Sequence, residues 1–282
     1  MSHKIAIAYR IYPGISKTPA FFSHDKLKMA EVCFASFIQA LEGVEFHLWV
    51  LFDNCPAEYE AMCLRHCSKE FMTFVHYDGI GNARTFEQQI LLLEQQQYSH
   101  TIMFAEDDYF YLRGTVVHAL DCLHSANDVD FVTLHNHPNY YSLPLHRHRY
   151  TYKNVGAHRW KKVNTTCLTF ITTQEQLAYV KKVFLTYKKN NYDASMWLAI
   201  TKIGVWSLPF LVAAIKDPMH KRIFAKLFIF TSFHYFFKPA KQLWAPEPSL
   251  NTHMEKKDLA PDIDWHFYVT SLAKEIGVVE SK

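Results

Sequence analysis

Residues 99–112, SHTIMFAEDDYFYL, join an apolar run directly to three adjacent carboxylates. The four residues before Glu106 are apolar and are typical of a buried strand, and Asp107 and Asp108 follow at once. Like charges repel each other, and burial of an unpaired carboxylate costs several kcal/mol. The three carboxylates therefore either lie in open solvent or have positive groups among them.

The sequence before this stretch alternates between strand-like apolar runs and helical patterns. The strand-like segments are 4–14, 44–56 and 71–78, and the helical segments that follow each of them are 24–42, 58–67 and 82–98. A repeated β-α order predicts an α/β fold with a mostly parallel sheet that helices flank, and such sheets bind ligands at the carboxyl ends of their strands. Asp53 and the carboxylate triplet both fall at such ends, so we expect both to line one cleft.

The second half of the chain is less regular. Residues 137–162 are polar and rich in His and Tyr, which is typical of a loop or hairpin, and strand-like and helical segments follow over 163–204. The tail after Pro239 contains three further prolines, at 246, 248 and 261, and we expect it to be loop-like.

Composition restricts the class of protein. The chain has 282 residues, of which 49% are hydrophobic, so it can bury a full core. A net charge of +3 is too small to indicate nucleic-acid binding. Among six cysteines, Cys63 and Cys67 are spaced C-x3-C without a second pair, which favours free thiols in a reducing compartment over a zinc site.

No segment has the pattern of a secretory signal, and no apolar run reaches the ~20 residues of a membrane span. We therefore expect a soluble, cytoplasmic protein. The aromatic-rich segment 221–241 has lysines at both ends. It fits either a core helix with charged ends or a segment that lies on a membrane surface. Membrane association thus stays open.

The carboxylate triplet is suited to a divalent cation. Carboxylates at a strand end are typical ligands of Mg²⁺ or Mn²⁺, and such ions bridge to substrate phosphates. A solvated acidic turn is the alternative. The apolar run directly before Glu106, and the β-α repeats before that, favour the metal site.

Several pieces of the sequence occur in an order that resembles a known family. The first strand, VLFDNC (50–55), GNARTFEQQI (81–90) and TIMFAEDDYFYL (101–112) resemble the nucleotide-sugar half of GT-A glycosyltransferases, especially the family 2-like group. The resemblance covers residues 1–115. It implies one GT-A domain with a nucleotide-sugar-binding half at 1–115 and an acceptor-binding half with the C-terminal tail at 116–282.

The resemblance also implies roles for individual residues in the donor site. Asp53, which closes the second strand, would hydrogen-bond the base of the nucleotide. Asn82 and Arg84, at the start of a helix, would lie beside the nucleotide or its diphosphate. The donor site implied in this way also includes Tyr9, Arg10 and Asp107.

For the metal, the resemblance implies Asp108 as a ligand of Mn²⁺ or Mg²⁺, with Glu106 assisting directly or through water. Glu106 stands where Asp is more usual in this family, so its longer side chain is a departure from the pattern. His253 would be the C-terminal histidine that reaches the metal, and an imidazole among oxygen ligands is compatible with Mn²⁺.

Asp193 precedes an apolar helical pattern in NNYDASMWLAI (190–200). In the family that the chain resembles, an acidic residue at this point serves as the general base for the acceptor hydroxyl. A helix N-cap explains an aspartate there equally well. His158 and Trp160 are further candidates for contact with the acceptor.

Taken together, the residues and the resemblance predict a metal-dependent glycosyltransferase of polysaccharide biosynthesis. It would move a sugar from a nucleotide-sugar to a hydroxyl of a glycan or lipid-linked acceptor, with inversion if Asp193 is the base. A nucleotidyltransferase that makes the nucleotide-sugar is an alternative, although YRIYPGISK (9–17) is a poor phosphate-binding loop with one glycine. A non-catalytic carbohydrate-binding protein is another.

Overall fold

The computed structural model describes residues 3–15, 18–126, 128–231, 235 and 237–278. The strands are β1 (His3–Ile11), β2 (Val44–Asp53), β3 (Met72–Tyr77), β4 (Thr101–Glu106), β5 (Tyr109–Tyr111), β6 (Phe131–Val132), β7 (Tyr152–Val155), β8 (His158–Val163), β9 (Phe170–Thr173), β10 (Leu243–Glu247) and β11 (Asn251–His253). The helices are α1 (Lys26–Ala40), α2 (Glu58–His66), α3 (Asn82–Gln95), α4 (Thr115–His124), α5 (Asn139–Ser142), α6 (Gln174–Phe184), α7 (Asp193–Thr201), α8 (Leu208–Lys216), α9 (Pro218–Phe230) and α10 (Trp265–Glu275).

Within the described residues, nine strands form one mixed sheet in the order β3-β2-β1-β4-β9-β6-β10-β8-β7. The pairs β3-β2, β2-β1, β1-β4 and β6-β10 are parallel, and β9 and β8 run against their neighbours. The predicted α/β class with a mostly parallel sheet is therefore confirmed. In addition, β5 and β11 form a small antiparallel sheet.

Strand β1 shows why helices cover both faces of the sheet. Its residues alternate between two apolar cores, as a strand with a side-chain period of two requires. One set faces the core that α1, α2 and α4 complete, and it consists of Ile5, Ile7, Tyr9 and Ile11. The other set faces the core that α3, α6, α7 and α9 complete, and Ala6 and Ala8 belong to it.

The C-terminal tail is more ordered than the sequence suggests. Strand β10 joins the main sheet between β6 and β8, β11 pairs with β5, and α10 packs against α1. The expectation of a loop-like tail was wrong, because Pro246 occupies β10 itself, opposite Trp160 of the antiparallel strand β8. This arrangement carries His253, the last residue of β11, back to the carboxylate triplet.

The hairpin expected within 137–162 is present as β7 and β8. All six cysteines are free thiols. Among the described residues, no helix combines the length and the apolar character that crossing a bilayer requires.

A buried histidine predicts how stability depends on pH. Burial lowers the pKa of His146 from 6.5 to about 3, although its hydrogen bond to Asn164 opposes the shift. Below pH 6.5 the unfolded chain binds a proton at this residue and the folded chain does not, so acid destabilises the fold by up to about 1.4 kcal/mol per pH unit. We expect His146→Gln to reduce this slope in urea unfolding between pH 7 and 4.5.

The exposed His24→Gln is the matched control and should retain the slope of the parent chain. Equal slopes for His146→Gln and the parent would contradict the assignment of the acid sensitivity to His146.

Candidate functional site

A cleft of about 660 Å³ opens at the carboxyl ends of β1, β2 and β4. This is the edge at which parallel sheets bind ligands. Its walls come from the ends of these strands, the turns that follow them and the beginnings of α1 and α3. The residues that line it are Arg10, Ile11, Tyr12, Gly14, Ile15, Lys26, Asp53, Asn54, Gly79, Gly81, Asn82, Thr85, Glu106, Asp107 and Asp108.

Glu106 pairs with a cation from the neighbouring strand. Arg10, near the end of β1, donates to Glu106 Oε1 and also to the backbone and side-chain oxygens of Asn82. The second oxygen of Glu106 accepts a hydrogen bond from Thr169 at 3.1 Å. Register explains the first contact, because Arg10 lies opposite Glu106 in the parallel pair β1-β4. Both oxygens of Glu106 are thus engaged by the protein.

Asp107 is buried and pairs with Lys26, the first residue of α1, at 3.0 Å between Nζ and Oδ2. The backbone N–H of Tyr12 donates to the same oxygen at 3.1 Å. Burial raises the pKa of Asp107, as does the negative charge of Asp108, while Lys26 opposes the shift. Asp107 therefore holds the end of β1 and the start of α1 together.

Asp108 pairs with His253 at 3.0 Å between Oδ2 and Nε2. Burial alone would raise the pKa of Asp108, but the charge and hydrogen bond of His253 lower it below the usual range. The same pair raises the pKa of His253 to about 10 against the effect of burial, and Asp258 adds a contact at 3.4 Å to its Nδ1. The metal-free pair is an imidazolium and a carboxylate.

Each carboxylate of the triplet thus has a protein cation of its own, which resolves the repulsion among the three adjacent charges. The three cations come from β1, α1 and β11, so the triplet is where these parts of the chain meet. The pairs are Glu106 with Arg10, Asp107 with Lys26 and Asp108 with His253.

A divalent cation fits this arrangement at Asp108 and His253. Asp108 Oδ1 is buried and forms no hydrogen bond with any described residue, which leaves one carboxylate oxygen beside the imidazole. In the described part of the chain, no group of three or more His, Cys, Asp or Glu side chains is arranged to hold a metal. Glu106 is directed to Arg10 and Thr169, so the structure provides two protein ligands where the sequence suggested three. Mg²⁺ and Mn²⁺ sites of this kind are completed by water and substrate phosphates.

Asp53 holds the loop between β3 and α3. Its two carboxylate oxygens accept hydrogen bonds from the backbone N–H groups of Ile80 at 2.7 Å and Gly81 at 2.8 Å. Gly81 has a φ of 82°, in the region that favours glycine. Asp53 itself is buried. It therefore shapes the cleft wall through this loop, in addition to any contact with a ligand.

Asp193 is the first residue of α7, and Tyr192 occupies the N-cap position. Its side chain accepts a hydrogen bond from the N–H of Ala194 at 2.7 Å. Burial raises the pKa of Asp193, and the negative charges of Glu106 and Asp258 raise it further. These carboxylates are therefore close enough to influence one another, although Asp193 does not itself line the cleft of the triplet.

The other predicted donor residues differ in position. Arg10 and Asn82 line the cleft, whereas Arg84 is exposed on the first turn of α3 and is not among the lining residues. Tyr9 is fully buried and packs against Phe37. Tyr9 is not among the lining residues, because adjacent strand residues face opposite sides of the sheet and Arg10 faces the cleft.

His158 and Trp160 also lie away from the cleft. Trp160 is fully buried in the first apolar core, and His158 contacts His118 of α4 with 4.4 Å between ring centroids. The structure thus does not bring these two residues to the triplet, and their contact with an acceptor stays a prediction.

Sequence reasoning missed several residues of the site. Tyr12 is 55% exposed and lines the cleft, so its ring is available to a planar ligand. Lys26 and Thr169 contact the triplet, and Tyr187 accepts a hydrogen bond from Asn82 at 3.3 Å. For Tyr12, its place just after β1 was a usable signal. No sequence signal identified Lys26 or Thr169, because only the tertiary fold brings these residues to the carboxylate triplet.

No protein-family profile and no curated protein sequence matches this chain. The search of solved structures matches the galactosyltransferase LgtC in complex with donor and acceptor sugar analogues. That match has 9% sequence identity and a TM-score of 0.44, and it covers 99% of this chain and 97% of LgtC. A CMP-2-keto-3-deoxy-manno-octonic acid synthetase complexed with CTP also matches. That match has 12% sequence identity and a TM-score of 0.43, and it covers 96% of this chain and 99% of the synthetase.

Glucosyl-3-phosphoglycerate synthase from Mycobacterium tuberculosis, with Mg²⁺ and UDP, matches at 11% identity and a TM-score of 0.36. That match covers 61% of this chain and spans little more than half, 57%, of the synthase. At these identities and TM-scores the matches carry no argument about this chain, and the function is inferred below from the side chains of the site.

The loop held by Asp53 gives a testable prediction. In Asp53→Asn, an NH₂ group replaces one oxygen and cannot accept from the N–H of Ile80 or Gly81. A buried donor left without a partner costs about 1–3 kcal/mol, and we expect the free energy of unfolding in urea to fall by that amount.

Asp78→Asn, an exposed change just before Gly79, is the matched control and should leave the free energy of unfolding unchanged. The same stability for Asp53→Asn and Asp78→Asn would show that Asp53 does not hold the loop.

Proposed function

We propose that the chain is a metal-dependent glycosyltransferase that moves a sugar from a nucleotide-sugar to an acceptor hydroxyl. The observation that carries the proposal is the Asp108–His253 pair, with its free buried carboxylate oxygen, at a cleft formed by the carboxyl ends of parallel strands. A donor with two phosphates suits this place, since Arg10 and Lys26 neutralise Glu106 and Asp107 in the same cleft.

The donor is bound by the cleft residues in this proposal. The ring of Tyr12 stacks on the base, and the loop that Asp53 holds forms the opposite wall with Gly81 and Asn82. Arg10 keeps Glu106 neutralised, so that the diphosphate meets a cleft without excess negative charge. Asp53 thus supports recognition of the base by positioning the loop.

Asp108 and His253 would hold the divalent cation, Mn²⁺ or Mg²⁺, with one oxygen and one nitrogen ligand. When bound, the cation supplies charge neutralisation for the nucleoside diphosphate that leaves. His253 would have to release its Nε2 proton to solvent to become a ligand, because only the neutral imidazole can bind a metal.

Asp193 would act as the general base. Burial raises the pKa of Asp193, which increases its affinity for the proton of an acceptor hydroxyl. Direct attack by that hydroxyl on the sugar inverts the anomeric centre. The acceptor in this proposal is a glycan or a lipid-linked sugar.

The metal site is tested by Asp108→Asn. For the parent chain, we expect one of the nucleoside diphosphates UDP, GDP, CDP and ADP to raise the melting temperature only with Mn²⁺. Ligand at 100 times Kd stabilises a fold by about 2.7 kcal/mol, and Asp108→Asn should lose this gain because it loses a charged ligand. Thermal unfolding followed by fluorescence measures the shift.

The exposed Asp121→Asn on α4 is the control with the same chemical change, and it should keep the full shift. A Mn²⁺-dependent shift of unchanged size in Asp108→Asn would place the metal elsewhere.

The base is tested by Asp193→Asn, which keeps the size and polarity of the side chain. Loss of a general base acts on the transition state, so we expect kcat to fall by about 100-fold or more with little change in KM for the donor. Initial rates of sugar transfer measure both constants.

Because burial raises the pKa of Asp193 above 3.8, kcat of the parent should decrease on acidification while this group is being protonated, starting above the usual aspartate range. Asp193→Asn should lack that acid limb. A parent-like kcat, or an acid limb that persists in the variant, would leave Asp193 with only its contact to the Ala194 amide.

A further inference from the structure

The helices α8 and α9, with Trp206 just before α8, expose large apolar side chains on the outside of the molecule. Trp206 is 67% exposed, Leu208 73%, Ile215 83% and Ile229 72%. We call these four residues, with the basic residues described below, the α8–α9 surface. Single exposed apolar residues are ordinary, but several on one helical pair are typical of a docking surface.

These helices are well packed on their inner side. Phe210 of α8 and Ile223 and Leu227 of α9 are buried in the second apolar core. Leu208 and Ile215 are seven residues apart on α8, a spacing that places both on one face of the helix. The exposed face is therefore a second apolar face of a folded hairpin, and loose packing does not account for it.

Charge distinguishes this part of the chain from the rest. Residues 202–241 contain seven Lys or Arg and one acidic residue, a net charge of +6, whereas the rest of the chain has 23 basic and 26 acidic residues, a net charge of −3. Lys216, Lys221 and Arg222 are exposed, and none of them forms an ion pair with another described residue.

We propose that the α8–α9 surface docks on the surface of an anionic lipid bilayer. Exposed Trp, Leu and Ile side chains enter the headgroup region, and neighbouring Lys and Arg side chains attract anionic headgroups, which is the arrangement of interfacial helices. A second copy of the chain fits poorly, because a two-fold dimer would bring the same basic surface against itself.

This surface differs from the segment 221–241 that the sequence indicated. It begins earlier, at Trp206, and it ends in α9. Lys241 is not free for a lipid because it pairs with Asp130 at 3.1 Å. Residues 232–234 and 236 lie outside the described part of the chain.

The α8–α9 surface is joined to the helix that carries the candidate base. Helix α7, which begins at Asp193, packs on α9, and Ser195 Oγ donates to the carbonyl of Ile223 at 3.0 Å. If the proposed function holds, a bilayer at this surface brings a lipid-linked acceptor near Asp193. Docking itself does not depend on that function.

Co-sedimentation with vesicles tests the docking without any sugar transfer. We expect the chain to bind vesicles of phosphatidylcholine and phosphatidylglycerol in a 3:1 ratio, and to bind pure phosphatidylcholine vesicles far more weakly. Ile215→Glu with Ile229→Glu should abolish binding. The charge reversal of Lys216, Lys221 and Arg222 to Glu should lower the affinity for anionic vesicles by about 100-fold. Each basic residue near such a surface contributes substantially to the binding free energy.

The controls carry changes of the same kind at exposed positions elsewhere, with one apolar-to-Glu change instead of two. They are Phe267→Glu, and the charge reversal of Lys69, Lys182 and Lys274. Both controls should bind as the parent does, and every variant should unfold at the parent's melting temperature. The proposal is overturned if the parent binds anionic vesicles no more strongly than neutral ones, or if variants and controls lose binding equally. A dimer in light scattering that Ile215→Glu with Ile229→Glu dissociates would also overturn it, in favour of a second copy.

Discussion

Three adjacent carboxylates at the end of β4 require three positive partners, and this constraint organises the site. Glu106, Asp107 and Asp108 cannot be brought together in a partly buried cleft as unpaired charges. Their partners come from β1, α1 and β11, and each pair joins the triplet to a different part of the chain. Consequently all three carboxylates are neutralised only when the first strand, the first helix and the C-terminal strand β11 are in place.

The three pairs are not equivalent, and this difference gives the site its proposed chemistry. Arg10 and Lys26 are held in fixed contacts and keep their charge, so Glu106 and Asp107 serve as structural anchors. His253 is the one partner of the three that can exchange its proton for a metal ion. The cleft can thus change from a protein-neutralised state to a metal-bound state at Asp108 without disturbing the other two pairs.

Local patterns in the sequence were sufficient for the β-α order and for the placement of Asp53 and the triplet at strand ends, because both depend on short-range periodicity. The partners of the triplet were harder to predict, since Arg10 is 96 positions from Glu106 and His253 is 145 positions from Asp108. Strand alternation separates Tyr9 from Arg10 and could have excluded Tyr9. The prolines concealed β10, because a proline usually indicates a loop and here Pro246 lies within a strand.

Pulsed electron paramagnetic resonance of bound Mn²⁺, in the presence of a nucleoside diphosphate, tests the central claim most directly. If Asp108 and His253 hold the metal at the diphosphate, the spectrum of the parent will show nitrogen coupling from a coordinated imidazole and phosphorus coupling from the nucleotide. The nitrogen coupling will be absent in His253→Gln. Bound Mn²⁺ without nitrogen coupling in the parent, or with the same coupling in His253→Gln, would contradict the account.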